Sequence, residues 1–115
     1  MLLLTLSMYL LFVVIGAMLV TLFLPKKHFI YYDGETFTPQ GLTIKFGDSV
    51  SIKNNAPSYM EFAIGQHANH KTLKGFEEKV IEANTVYTFA PQENGIFDFH
   101  NHLNPKKIGV LIINE

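Results

Sequence analysis

The sequence predicts an all-β fold, an antiparallel Greek-key sandwich, preceded by one N-terminal transmembrane helix. Two observations carry this prediction. Residues 2–24 are uncharged and almost wholly apolar, whereas apolar and polar residues alternate in short runs through the rest of the chain. Alternation with a period of two is typical of half-buried strands, and several such runs separated by turn residues indicate a sandwich or barrel.

The N-terminal segment, residues 2–24, is long enough to cross a membrane. At 1.5 Å per residue, about 20 apolar residues span a hydrocarbon core about 30 Å thick. A cleaved signal peptide would carry a basic n-region and a small-residue cleavage site. The segment lacks the first and offers only Gly16 and Ala17 for the second. We therefore expect residues 1–25 to form an uncleaved, single-pass anchor.

The alternating runs predict seven strands in the remainder of the chain. They cover residues 29–32, 42–46, 50–53, 59–64, 86–89, 96–99 and 108–113. Residues 65–79 are an exception, because they show little alternation, and a connection of that length in a compact domain is often functional. We expect a juxtamembrane linker with a possible first strand in residues 26–35, and the sandwich in residues 36–115.

Composition excludes several functional classes. All nine basic residues are lysines and the net charge is −1. Because arginine is favoured for bidentate recognition of phosphates and bases, nucleic acid is not an expected partner. The chain has no cysteine, so it offers neither disulfides nor a thiolate. No motif for hydrolytic catalysis occurs either, and we expect a function other than catalysis, although an enzyme is not excluded.

Four of the five histidines lie in two close pairs, His67 with His70 and His100 with His102. Residues three apart face together on a turn or short helix, and residues two apart share one face of a strand. Neutral imidazole binds Cu(II), Zn(II) and Ni(II). One pair alone is more often solvated or hydrogen-bonded, but two such pairs predict a metal site if the fold brings their loops together. His28 stands alone and is expected at the membrane interface.

Carboxylates near these pairs are further candidates. Asp98 would be placed to orient a histidine through its second nitrogen, and Glu77 and Glu78 would be able to supply oxygen ligands. Side chains of this kind are usually solvated, and that is the expectation here.

The last third of the chain has the frame of a known family. Gly95, Phe97 and Phe99 form a Gly-x-Phe-x-Phe strand, which a short loop connects to Gly109. Upstream pieces in matching order are Phe37-Thr38-Pro39, Leu42-Thr43-Ile44, Gly47-Asp48-Ser49-Val50 and Asn54-Asn55. Over residues 36–115 the chain thus resembles a cupredoxin, the fold of the blue-copper proteins.

The ligands of a blue-copper site are not carried over. A type 1 site needs a Cys thiolate, two His and a weak axial Met. In register with the family, Met60 and Asn104 stand at the His positions, Asn101 at the Cys position and Lys107 at the Met position. No type 1 site is therefore expected, and electron transfer of that kind is disfavoured.

A nearer resemblance is to Cys-less cupredoxin-like domains with a His-x-x-His loop, a Pro-Gly-Phe and a closing His-x-His-Leu-Asn-Pro. Here the corresponding segments are His67-Ala68-Asn69-His70, Lys74-Gly75-Phe76 and His100-Asn101-His102-Leu103-Asn104-Pro105. Lys74 replaces a Pro and Met60 replaces a His. The resemblance implies copper bound by His67, His70, His100 and His102, with Met60 as a further candidate because a thioether binds Cu(I). Zinc is the alternative, since tetrahedral His sites suit it.

The expected function is a membrane-anchored metal-binding domain that handles copper together with a metal donor or acceptor protein. The alternative is a metal-free structural or protein-interaction module, and a redox subunit acting with a copper centre on another chain is a third possibility. The family resemblance places the domain on the periplasmic or extracellular side of the cell membrane. Lys26 and Lys27 argue for the opposite orientation under the positive-inside rule.

Overall fold

Helix α1, Leu2–Phe23, precedes a two-layered β domain in the computed structural model, which describes residues 1–115 except for the side chains of residues 21 and 22. The helix carries no acidic residue in its first turn and no basic residue in its last. Its stretch Leu2–Val20 is exposed throughout and is long and apolar enough to cross a membrane. The predicted N-terminal helix is therefore present.

The described residues form ten strands. They are β1 Lys27–Tyr32, β2 Phe37–Thr38, β3 Gly41–Lys45, β4 Ser49–Asn54, β5 Met60–Gln66, β6 Asn69–His70, β7 Lys79–Ile81, β8 Val86–Phe89, β9 Gly95–Asn101 and β10 Asn104–Asn114. The seven predicted strands all occur. The three additional ones, β2, β6 and β7, have two or three residues each, too few to show alternation.

The strands form two sheets. The smaller sheet has the order β2-β1-β4-β8, and the larger has the order β3-β10-β9-β5-β6, with β7 also paired to β5. After β1 and β2 the chain crosses to the larger sheet for β3 and returns to the smaller sheet for β4, which lies beside β1. The predicted sandwich is therefore confirmed. Within its sheets, strands that are not neighbours in sequence lie side by side.

Two strand pairs run parallel, which the prediction of an antiparallel sandwich did not include. β1 pairs with β4 in parallel register, and so does β3 with β10. Parallel neighbours need a long crossover connection rather than a hairpin. Here each crossover connection includes at least one strand of the opposite sheet. The alternation of apolar and polar residues within one strand does not reveal that connection.

The core lies between the two sheets and is rich in aromatic rings. The ring of Phe37 lies 5.9 Å from that of Phe62 and 5.0 Å from that of Phe99. All three side chains are fully buried, and burial of each contributes about 1.5–3 kcal/mol. Phe76 is only partly buried and packs against Phe89 at a ring distance of 4.9 Å.

The two faces of β9 determine where its histidine lies. Phe97 and Phe99 point into the core, so that Asp98 and His100 point to the outer face of the larger sheet. The strand continues as far as Asn101. His100 is therefore part of a regular strand, whereas the sequence predicted a loop beginning at this residue.

Candidate metal centre

A tight hairpin between β5 and β6 carries the first histidine pair. Gly65 pairs with His70 and Gln66 with Asn69, which leaves His67 and Ala68 as a two-residue turn. Gly65 has φ +92°, and a Cβ there would lie 2.6 Å from the backbone nitrogen of Lys71. Only glycine fits this bend, which folds the hairpin toward the outer face of the larger sheet.

The hairpin brings the two predicted histidine pairs together. The ring centroids of His67, His70, His100 and His102 are separated by 4.9 to 6.5 Å. One ring nitrogen from each lies within 4.8 Å of the others. A metal with bonds of about 2.0–2.1 Å to imidazole holds its ligand atoms within about 4.2 Å. That limit holds for two ligand atoms on opposite sides of the ion, and in a tetrahedral site the ligand atoms lie about 3.4 Å apart. The most widely separated nitrogens would therefore have to approach each other by roughly 0.5–1.5 Å to bind one ion.

His100 is the most deeply buried member of the group, with 1% of its surface exposed. Its Nδ1 lies 2.8 Å from the carbonyl oxygen of Gly65. Because a carbonyl only accepts, Nδ1 carries the proton and donates it. The Nε2 atom then bears the lone pair, and it is buried without a hydrogen-bond partner among the described residues.

Electrostatics favour the neutral form of His100. Burial lowers the pKa of His100 below the ordinary value of 6.5. The hydrogen bond to Gly65 raises this pKa, whereas the neighbouring imidazoles of His70, His102 and His67 lower it. Neutral imidazole is the form that binds a metal ion. The most buried ring of the cluster is therefore ready to act as a ligand at neutral pH.

His70 is held by a carboxylate. Its Nδ1 lies 3.1 Å from Oε2 of Glu78. A carboxylate at neutral pH only accepts, so Nδ1–H donates and Nε2 is free to bind. Metal-ligating histidines commonly donate their second ring N–H to a carboxylate in this way. Glu78 is thus engaged, whereas Glu77 is largely exposed and lies 3.6 Å from Lys79.

The other two histidines complete the group with different exposures. His102 is half-buried, and its Nδ1 is buried with no hydrogen-bond partner in the described part of the chain. Its backbone N–H donates to the carbonyl of Glu61 at 2.8 Å, which fixes the start of the β9–β10 turn. His67 is exposed at the tip of its hairpin.

Two other candidate residues lie away from this cluster. Met60 is fully buried in the core cluster together with Phe62, on the inner face of β5. His100 pairs with Ala63 and points to the opposite face, so the structure does not bring Met60 to the imidazoles. His28 is 2.9 Å from Asp48 and is partly buried.

The positions that would form a type 1 site do not fit copper. The Oδ1 atom of Asn101 accepts from the backbone N–H groups of Glu61 and Leu103, and its Nδ2 donates to the hydroxyl of Tyr32 at 3.0 Å. Both the oxygen and the nitrogen of this amide are therefore engaged in hydrogen bonds within the protein, rather than available as metal ligands. Asn104 lies at the start of β10, and Lys107 donates to Glu35 at 3.1 Å.

Sequence reasoning identified the four histidines, but it missed two groups that orient them. The carbonyl of Gly65 belongs to the backbone, which has no signature in the side-chain pattern. Glu78 was noted as a solvated carboxylate, because nothing in the local sequence relates it to His70 eight residues earlier. The contact arises because the segment after β6 returns to pair with β5 through β7.

Comparison with known proteins identifies the fold. No family model and no curated protein matches the chain. Solved structures do: a purple cupredoxin from Nitrosopumilus maritimus has 14% identity and a TM-score of 0.64, with 76% of this chain and 99% of that chain covered. A reduced amicyanin mutant has 18% identity and a TM-score of 0.62, with 76% and 82% covered. The chain has a cupredoxin-like fold that carries a cluster of four histidines.

Proposed function

We propose that this protein is a membrane-anchored, cupredoxin-like domain that binds copper through His67, His70, His100 and His102. The observation that carries the proposal is the pair of buried ring nitrogens, Nε2 of His100 and Nδ1 of His102, that lack a hydrogen-bond partner among the described residues. Burying an unsatisfied polar atom costs about 1–3 kcal/mol. A metal ion bound between the rings would satisfy both atoms.

The donor set favours copper over other cargoes. Four neutral nitrogen ligands without a thiolate suit Cu(II) and Zn(II), and in the general order of affinities Cu(II) exceeds Zn(II). The amicyanin structures to which the fold is similar include Cu(I) forms. Zinc is the alternative cargo, since four imidazoles also satisfy its tetrahedral preference.

Handling of copper fits this site better than type 1 electron transfer. No thiolate is available, because the chain has no cysteine. At the family's Cys position, both the oxygen and the nitrogen of the Asn101 amide are hydrogen-bonded within the protein. The four rings lie on the outer face of a sheet, and His67 is exposed. A metal donor or acceptor protein would therefore have direct access to the ion.

Helix α1 would hold the domain at a membrane as a single-pass anchor, with the domain on the periplasmic or extracellular side. A reporter that is active only outside the cytoplasm, fused after Glu115, tests this orientation. Activity of the fusion supports the proposal. An inactive fusion that is nevertheless expressed would place the domain in the cytoplasm, as Lys26 and Lys27 suggest.

Metal binding is tested with the full chain in detergent micelles, by calorimetric titration with Cu(II) and Zn(II) and by competition for Cu(I). We expect a single copper ion per chain. Replacing both His100 and His102 by Ala should lower the copper affinity by more than about a hundredfold, since the loss of an outer-shell partner alone costs about 10–100-fold.

The matched control is His28→Gln, which removes the remaining imidazole of the chain at a position outside the cluster. This variant should bind copper with unchanged affinity. Equal copper binding by the wild-type chain and the double variant would eliminate the proposed site. Absence of any bound metal would favour the metal-free structural or protein-interaction module.

A further inference from the structure

An open groove adjoins the histidine cluster on the outer face of the larger sheet. Its volume is about 350 Å³, which lies at the lower end of the range for small-molecule sites. The lining residues are Gly65, Gln66, His67, Asp98, Phe99, His100, Pro105, Ile108 and Gly109. Two of them, His67 and His100, also belong to the cluster of four histidines.

The shared histidines place the groove directly beside the metal position. Ile108 stands opposite His100 in the register of β9 and β10 and forms one wall. Pro105, near the β9–β10 turn, and His67, at the tip of the β5–β6 hairpin, also line the groove. A small molecule in the groove would therefore approach the ion from the side on which His67 and His100 lie.

The charge of the groove selects among small ligands. Among its lining residues, Asp98 carries the formal charge, and no lysine is present. Apart from the amide of Gln66 and the two imidazoles, the other lining side chains are apolar. The exposed carboxylate of Asp98 repels an incoming anion and so offsets part of the attraction that a bound Cu(II) ion would exert on it. A neutral donor experiences no such repulsion.

We propose that this groove admits a small, neutral nitrogen donor, of the imidazole class, to the copper ion between His67 and His100, and that Asp98 disfavours anions there. The inference rests on the proposed copper site. The four imidazoles would hold the ion, and the open groove would leave room beside His67 and His100 for one further donor.

The test uses the full chain in micelles, loaded with Cu(II), and titrates it separately with free imidazole and with azide. Copper retention is measured after each titration. Imidazole should shift the EPR and visible spectra saturably while copper stays bound. Asp98→Asn should strengthen azide binding, because it removes a negative charge from the groove, and should leave imidazole binding unchanged.

Ile108→Trp should fill the groove and abolish the imidazole-dependent shift. Ile96→Trp is the matched control, because Ile96 is exposed on the same face of β9 but does not line the groove. Equal imidazole binding by both variants, or azide binding that Asp98→Asn leaves unchanged, would overturn the inference. A chain that binds no copper would instead refute the proposed function itself.

Discussion

Glu78 Oε2 lies 3.1 Å from Nδ1 of His70, although the two residues are eight positions apart at opposite ends of the loop between β6 and β7. The carboxylate accepts a hydrogen bond from Nδ1–H, which leaves Nε2 available to bind a metal. Both side chains are about one-third exposed, so this contact alone adds little to folding stability. The contact is expected to affect the affinity for a metal ion instead, because it fixes the tautomer and the orientation of His70.

Replacing Glu78 by Ala should lower copper affinity by about 10–100-fold, because the outer-shell partner of a ligating histidine fixes its tautomer and orientation. Calorimetric titration of the full chain with Cu(II) measures this loss. Glu77→Ala is the matched control, since Glu77 is 79% exposed and does not contact the histidines. An equal affinity loss in both variants would show that the copper affinity depends on net charge rather than on the orientation of His70.

Gly65→Ala should destabilise the domain and abolish high-affinity copper binding. The new Cβ would meet the backbone of Lys71 at 2.6 Å and that of Asn69 at 2.8 Å, so the hairpin must shift and its carbonyl must leave His100. Thermal unfolding monitored by near-ultraviolet circular dichroism, with and without Cu(II), measures both effects.

Gly47→Ala serves as the control for the glycine substitution. Gly47 also has a positive φ, of +98°, but a Cβ there meets nothing within 4 Å. This variant should lose only about 1–2 kcal/mol from backbone strain and retain the copper-dependent rise in melting temperature. Retention of copper binding by Gly65→Ala would disprove the role assigned to the hairpin bend.

Asn101→Cys should not create a blue-copper site. The substitution supplies a thiol at the family's Cys position, but the side chain at the first His position is still the core residue Met60. It also removes three hydrogen bonds from Asn101, which should cost about 1–3 kcal/mol. Visible absorption with Cu(II) and urea unfolding measure the two outcomes. An intense thiolate-to-copper band would contradict this expectation.

Asp48 should make the domain sensitive to acid. Burial of this carboxylate raises its pKa, but hydrogen bonds from the backbone of Lys26, the ring of His28 and the backbone of Lys45 outweigh that effect and lower the pKa to about 2. Because the folded-state value is below the unfolded value of 3.8, the stabilisation is fully present above about pH 4. It should disappear as the pH falls toward 2.

Asp48→Asn tests this relation by comparison of urea unfolding at several pH values. At pH 7 the variant should be less stable by about 1–3 kcal/mol, the usual value of hydrogen bonds to a charged group. The difference from the wild type should decrease between pH 4 and pH 2. A difference that is constant across this range would show that the charge of Asp48 is not the stabilising feature.

The strands and the helix were predictable because their signals are local. The uncharged run through residues 2–24 and the alternation of Phe97 and Phe99 with Asp98 depend only on neighbours in sequence. The resemblance to cupredoxins, carried by separated glycine and aromatic positions, then predicted the correct fold. Strand direction was less accessible: the parallel pairing of β1 with β4 depends on where the chain crosses between the sheets.

The four histidines were also predictable, as two pairs with ligand spacing, but their meeting point was not. It depends on Gly65, whose positive φ bends β5, and on β9 remaining a strand through His100, which turns that ring to the outer face. The same alternation turns Met60 into the core. Hydrogen bonds from distant segments, to the Gly65 carbonyl and to Glu78, then determine which ring nitrogens are free. Periodicity along the chain specifies which face a side chain occupies, whereas contacts between faces arise only when the segments pack together.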